Sequence, residues 1–123
     1  MRTYNYFIIN PGLTICFVTG STTNISRFQA IGTYTFPITL SGITSGTWSI
    51  NKSSSGIVAL TDYLKIYGST ARPLNVWYAG VNSVDGGSNS GWIFSLAPKL
   101  IPVQTNNKIM IRSTENGKIL FQW

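Results

Sequence analysis

Three carboxylates, one thiol and no imidazole are the main groups this 123-residue chain offers to acid–base or nucleophilic chemistry. The carboxylates, Asp62, Asp85 and Glu115, lie in three separate segments, and the thiol is Cys16. General acid–base catalysis favours His or paired carboxylates, and a Ser–His–Asp triad cannot be built without His. No feature marks a Ser–Lys pair, and no Gly-rich stretch has the form of a phosphate loop. Zinc takes four ligands, usually Cys and His, and calcium takes clustered oxygens. Asp85 in "SVDGGSNSG" has Asn82 and Asn89 near it but no second carboxylate. The chain therefore reads as non-enzymatic, with no catalytic residue, no metal site and no cofactor. Cys16 allows no intrachain disulfide, and its neighbours Ile15 and Phe17 suggest an inert, buried thiol.

Recognition is better represented than catalysis. In "NVWYAGVNSVDGGSNSGW" the aromatics Trp77, Tyr78 and Trp92 flank a loop carrying Asn82, Asp85 and Asn89. Aromatic faces stack on sugar rings, and amides and carboxylates read hydroxyls. These six residues are the candidate glycan- or partner-binding set, set against a plain hairpin loop with the two Trp in the core. The net charge of +6 fits anionic partners in general. The nine basic residues are scattered, with no run and no RNA-recognition signature. That argues against nucleic acid, although a small barrel with stacking platforms on a basic groove remains the alternative of that class.

These residues must be positioned by strands. The pattern is two-fold alternation broken by turns, with no convincing amphipathic helix and no visible internal repeat. Residues 4–9 and 13–18 flank Asn10-Pro11-Gly12, which reads as two strands and a turn and not as a signal peptide. In "TYTFPITL", Tyr34, Phe36, Ile38 and Leu40 fall on one face, with Pro37 marking an edge or bulge. Residues 57–67 are interrupted near Thr61-Asp62 and could hold a short helix. About 8–10 short strands with frequent turns predict one all-β domain over residues 1–123, an antiparallel β-sandwich of jelly-roll or immunoglobulin-like type. No run reaches the length of a membrane span.

The C-terminal "TENGKILFQW" carries an Asn-Gly hairpin signal. A two-residue Asn116-Gly117 loop would pair Glu115 with Lys118 and set Arg112 opposite Phe121; a bulged loop at Gly117, favoured because register follows the buried face, sets Ile109 and Ile111 opposite Trp123 and Phe121. These four apolar residues are the candidate oligomer interface.

Several short stretches, over about half of the chain, carry a resemblance. "SGIVALTDYLKI", "STARPLNVWYAG" and "NGKILFQW" resemble the distal domains of bacteriophage tail fibres and receptor-binding proteins. "GTYTFPITLSGIT" is similar to phage fibre and capsid-surface modules. The resemblance implies a virion structural protein, a capsid decoration, spike or fibre tip, made in the host cytoplasm without a signal peptide. It implies homotrimers with aromatic strands at the three-fold contact, other virion proteins as partners, and host-glycan sites on loops. A stand-alone lectin-like carbohydrate-binding module is the alternative.

Overall fold

The structure is a computed structural model; it describes the backbone of residues 2–98, 100–105, 108–113 and 119–121, and the side chains of residues 3–98. It is all-β, but it is not an antiparallel sandwich. The strands are β1 (Arg2–Ile9), β2 (Thr14–Phe17), β3 (Thr22–Ile31), β4 (Ile38–Gly42), β5 (Trp48–Lys52), β6 (Leu60–Asp62) and β7 (Leu64–Ile66). They continue with β8 (Ser69–Arg72), β9 (Trp77–Tyr78), β10 (Val84–Asp85), β11 (Trp92–Ile93), β12 (Leu100–Thr105), β13 (Lys108–Ser113) and β14 (Ile119–Phe121). Every strand pairing up to Ile93 is parallel. One sheet runs β1-β3-β5-β8, with β6 also on β3; a second runs β10-β7-β4-β2; a third joins β11 and β9. Each strand thus lies on the equivalent strand of the preceding turn of chain, the arrangement of a parallel β-solenoid. Coil 1 carries β1 and β2, coil 2 β3 and β4, coil 3 β5 to β7, coil 4 β8 to β10, and coil 5 starts with Ser90 over Thr70 and continues into β11.

The alternation within the strands was real, but their partners differ from the expectation. Apolar–polar alternation places one face of a strand inward whichever way its neighbour runs. Ile38 pairs with Leu64 and Leu40 with Ile66, and all four are fully buried. Outward positions form polar columns such as Thr22–Ser49–Thr70, which puts the chain's abundant hydroxyls on the surface. Asn24 and Asn51 are also in register, and Asn51 Nδ2 donates to Asn24 Oδ1 at 3.1 Å. β1 and β2 do not pair with each other across Asn10-Pro11-Gly12; they belong to different sheets.

One corner recurs at the end of each of coils 1 to 4. Gly20, Gly46, Gly68 and Gly87 all have positive φ; the first three stand just before strands of the first sheet, and Gly87 just before Ser90, which bridges Thr70 of that sheet. The Gly68 N–H donates to the Gly87 carbonyl at 3.0 Å, and the Trp48 N–H to the Gly68 carbonyl at 2.9 Å. "GST", "GTWS", "GST" and "GSNS" are therefore equivalent turns, and the chain does contain a repeat. It was hidden because the spacing is irregular: the step between paired residues is 21 from β1 to β3, 27 from β3 to β5 and 15 from β9 to β11.

Other expectations change with the topology. Residues 57–67 hold β6 and β7, not a helix, and Tyr63 makes the corner between them with φ 53°. Ile38 and Leu40 are buried, but Tyr34 and Phe36 lie exposed in the turn before β4. Cys16 is exposed because Ile15 and Phe17 point inward and period two turns it out. Strands β12, β13 and β14 form an antiparallel sheet with Met110 opposite Phe121 and Ile111 opposite Leu120. The hairpin register is thus one residue away from the expected pairing of Ile111 with Phe121. Trp123 lies outside the described residues. Among the described residues no helix is long and apolar enough to cross a membrane.

Candidate binding groove

The two tryptophans, read from the sequence either as sugar platforms or as core, are inside the protein. Trp77 is fully buried and Trp92 8% exposed. Their rings meet edge to face at 5.1 Å, and Phe28 closes the cluster at 5.4 Å from Trp77. Both indole N–H groups are satisfied internally: Trp77 Nε1 donates to the Arg72 carbonyl at 2.7 Å, and Trp92 Nε1 to Ser69 Oγ at 2.8 Å. Neither ring presents a face to solvent, so the candidate glycan platform is not assembled there. The inward position follows from the parallel register, which sets Trp92 on Trp77 and Trp77 on Val58.

The polar members of that set join coils together. Asn89 Oδ1 accepts from the Ser69 N–H at 2.8 Å, and its Nδ2 donates to the Ile66 carbonyl and to Asp85 Oδ1, both at 2.7 Å. Asp85 Oδ1 also accepts from the Gly87 N–H at 3.0 Å. Asn82 donates through its N–H and Nδ2 to the Asp62 carboxylate, at 2.9 and 3.0 Å. Tyr78 is half-buried, and its carbonyl accepts from Thr61 Oγ1. Both described carboxylates are thereby engaged as acceptors in turns, and no cluster of metal-ligating residues forms among the described residues.

The surface feature suited to a ligand lies elsewhere, at the corner between the two halves of the long strand β3. On β3, Thr23 and Ile25 face inward, then Phe28 and Ala30; the phase slips between them as the chain rounds the corner. Coil 3 does not follow this path. Lys52 pairs with Ile25, a step of 27, but Leu60 pairs with Gln29, a step of 31. Four extra residues are accommodated by a bulge at residues 53–59. It is pinned to the preceding coil: the Ser53 N–H donates to the Ile25 carbonyl at 2.9 Å and Ser54 Oγ to the Ser26 carbonyl at 2.5 Å.

Beside this bulge runs a groove of about 470 Å³, lined among others by Tyr6, Arg27, Gln29, Lys52, Ser54 and Leu60. Tyr6 and Arg27 are register partners on β1 and β3. Lys52 is buried, and its ammonium donates to the Ser54 carbonyl, Ser54 Oγ and the Ser55 carbonyl at 3.2, 2.7 and 2.8 Å. All three acceptors are neutral. Burial, and then the positive charge of Arg27, hold the Lys52 pKa below its ordinary 10.5. The arrangement is a concave, cationic, partly apolar surface. It can bind an anion with an attached polar body.

No protein-family model, curated protein or solved structure matches this chain. The groove was missed in the sequence because its parts come from three coils. The one local signal was "KSSSG", which reads as a turn.

Proposed function

We propose that the protein is a non-enzymatic structural component of a bacteriophage particle, displayed at its surface as a capsid decoration, spike or fibre tip, where it contacts host glycans. The observation that carries this reading is the bulge of coil 3 and the groove it walls. In solenoids, a coil provides the scaffold, and insertions within a coil collect on one face and serve binding. The short stretches similar to phage fibre and capsid-surface modules supply the setting, and with it a homo-oligomer, a trimer by that resemblance. The alternative, a stand-alone lectin-like module, would use the same groove. A nucleic-acid binder is disfavoured by the burial of Trp48, Trp77 and Trp92, which leaves those indoles unable to stack on bases.

Two measurements on the purified chain test the proposal together. Light scattering across concentration and salt is expected to give a stable homo-oligomer, and a glycan array is expected to give saturable binding. A monomer at every concentration that retains no glycan overturns the proposal. A monomer that binds glycan saturably selects the lectin-like alternative.

A further inference from the structure

We propose that the groove beside the bulge of coil 3 is an anion site for an acidic sugar, with the Arg27 guanidinium as its charge contact. The assignment rests on the attachment reading above and names its ligand class.

Arg27 is exposed at the groove and sits next to Tyr6 on the neighbouring strand. Its planar fork of donors matches a carboxylate or phosphate group bidentately. Lys52 cannot be a direct ligand in this geometry, because neutral oxygens of Ser54 and Ser55 surround its ammonium. Its charge nevertheless remains beneath the groove. The two described carboxylates do not face it: Asp62 is held by Asn82 and the Tyr63 N–H, and Asp85 by Asn89 and the Gly87 N–H. Two like charges in one concavity repel each other and raise the local concentration of anions. A bound anion removes that repulsion.

The rest of the groove argues for a sugar over a bare ion. Gln29 and Ser55 offer amide and hydroxyl groups to ring hydroxyls. Tyr6 at 52% exposure, Ile57 at 44% and Leu60 at 54% give an apolar wall against which a ring can lie. The volume is within the ordinary range for small-molecule sites, several hundred Å³. Among the described residues, Tyr6 is the sole aromatic ring lining the groove apart from the buried Phe28, so they offer a run of nucleobases no series of platforms to follow.

Calorimetric titration of the full chain tests the assignment with four probes: an oligogalacturonate, a glycerol-phosphate oligomer, a maltooligosaccharide and an oligothymidylate. Both acidic carbohydrate-type probes are expected to bind, more weakly as salt rises, while the neutral one does not. The ratio between them distinguishes a carboxylate ligand from a phosphate one. Arg27→Gln is expected to weaken binding about tenfold or more, the loss of a charge-assisted contact. Lys65→Gln, which removes the same charge from the outward side of β7, is expected to leave binding unchanged. Circular dichroism confirms that both variants fold. Neutral-sugar binding as tight as acidic, or binding indifferent to Arg27→Gln, overturns the anion site while leaving glycan attachment standing. Oligothymidylate binding tighter than either acidic probe overturns it in favour of a nucleic-acid site. Failure of all four probes overturns the site, while the attachment reading stands or falls on the glycan array.

Discussion

At the scale of single residues, the molecule uses polar side chains mostly to hold itself together. Lys52 shows what this costs. Its charged form is disfavoured in the folded state, while the unfolded chain keeps the ordinary pKa of 10.5. Below the lowered folded value, both states are protonated and the penalty is constant. As pH rises from that value towards 10.5, the folded state sheds its proton first and the penalty is relieved. Denaturant unfolding across this window is expected to show Lys52 becoming less unfavourable as pH rises, read as the difference from Lys52→Met. Arg27→Gln removes the like charge and is expected to raise stability at neutral pH by roughly 0.5 kcal/mol or less, since Arg27 is exposed and screened. Stability and ligand binding should then move in opposite directions in one variant. Trp77→Ala is expected to cost about 3–5 kcal/mol, as large buried aromatic deletions do, in the same unfolding measurement. Asn89→Ala should cost about 1–3 kcal/mol by leaving the Ser69 N–H and Ile66 carbonyl without that partner. The sequence showed these residues as a conspicuous cluster. It could not show that the aromatics point inward, because either face of a strand reads the same until its neighbours are known.

At the scale of elements, corners matter as much as strands. Gly91 has φ +86°, and a Cβ placed on it would run into the Ala71 carbonyl oxygen of the coil below. Gly56, at the bulge, has φ +93° but open space around it. Gly91→Ala is expected to lose about 3 kcal/mol or more, and Gly56→Ala about 1 kcal/mol, the backbone strain alone. Thermal unfolding of the two variants checks the difference. Several strands were legible from alternation: β1, β2, β4, β5 and β7 fall within or beside segments that alternate in the sequence. Pairing was not legible. Frequent turns usually mean hairpins, so an antiparallel sandwich was the natural expectation. Here the same turns are corners of a coil, and the partner of each strand is a full coil away. A constant coil length would have revealed this as a period, and steps ranging from 15 to 31 residues concealed it. The groove was illegible for the same reason, since Tyr6, Arg27 and Ser54 become neighbours only through those steps.

At the scale of the whole molecule, the solenoid is close to one-dimensional: each coil contacts chiefly the coils above and below. β1 and β2 end their sheets among the described residues, so coil 1 is covered on one side only. Its Phe7 and Ile15 are only partly buried, whereas Ile25, Ile50, Leu40 and Ile66 of coils 2 and 3 are completely covered. Hydrogen exchange is expected to be slowest at amides of β3, β5 and β7 and faster in β1 and β2. Uniform protection along the chain would mean that the molecule opens as one unit. A larger assembly would change the pattern, because a neighbour seated on coil 1 would slow exchange there first.

The edge-to-face pair of Trp77 and Trp92 also has an optical consequence. Two indoles 5.1 Å apart and inclined at 62° couple their electronic transitions, and Phe17 lies flat on Trp48 at 3.9 Å elsewhere in the same core. Trp77 belongs to coil 4 and Trp92 to coil 5. The paired band in circular dichroism thus reports whether coil 5 is docked on coil 4, and it should vanish in Trp77→Phe while the Trp48 signal persists. The molecule contains a built-in gauge of how its fifth coil sits on the fourth, readable without a label.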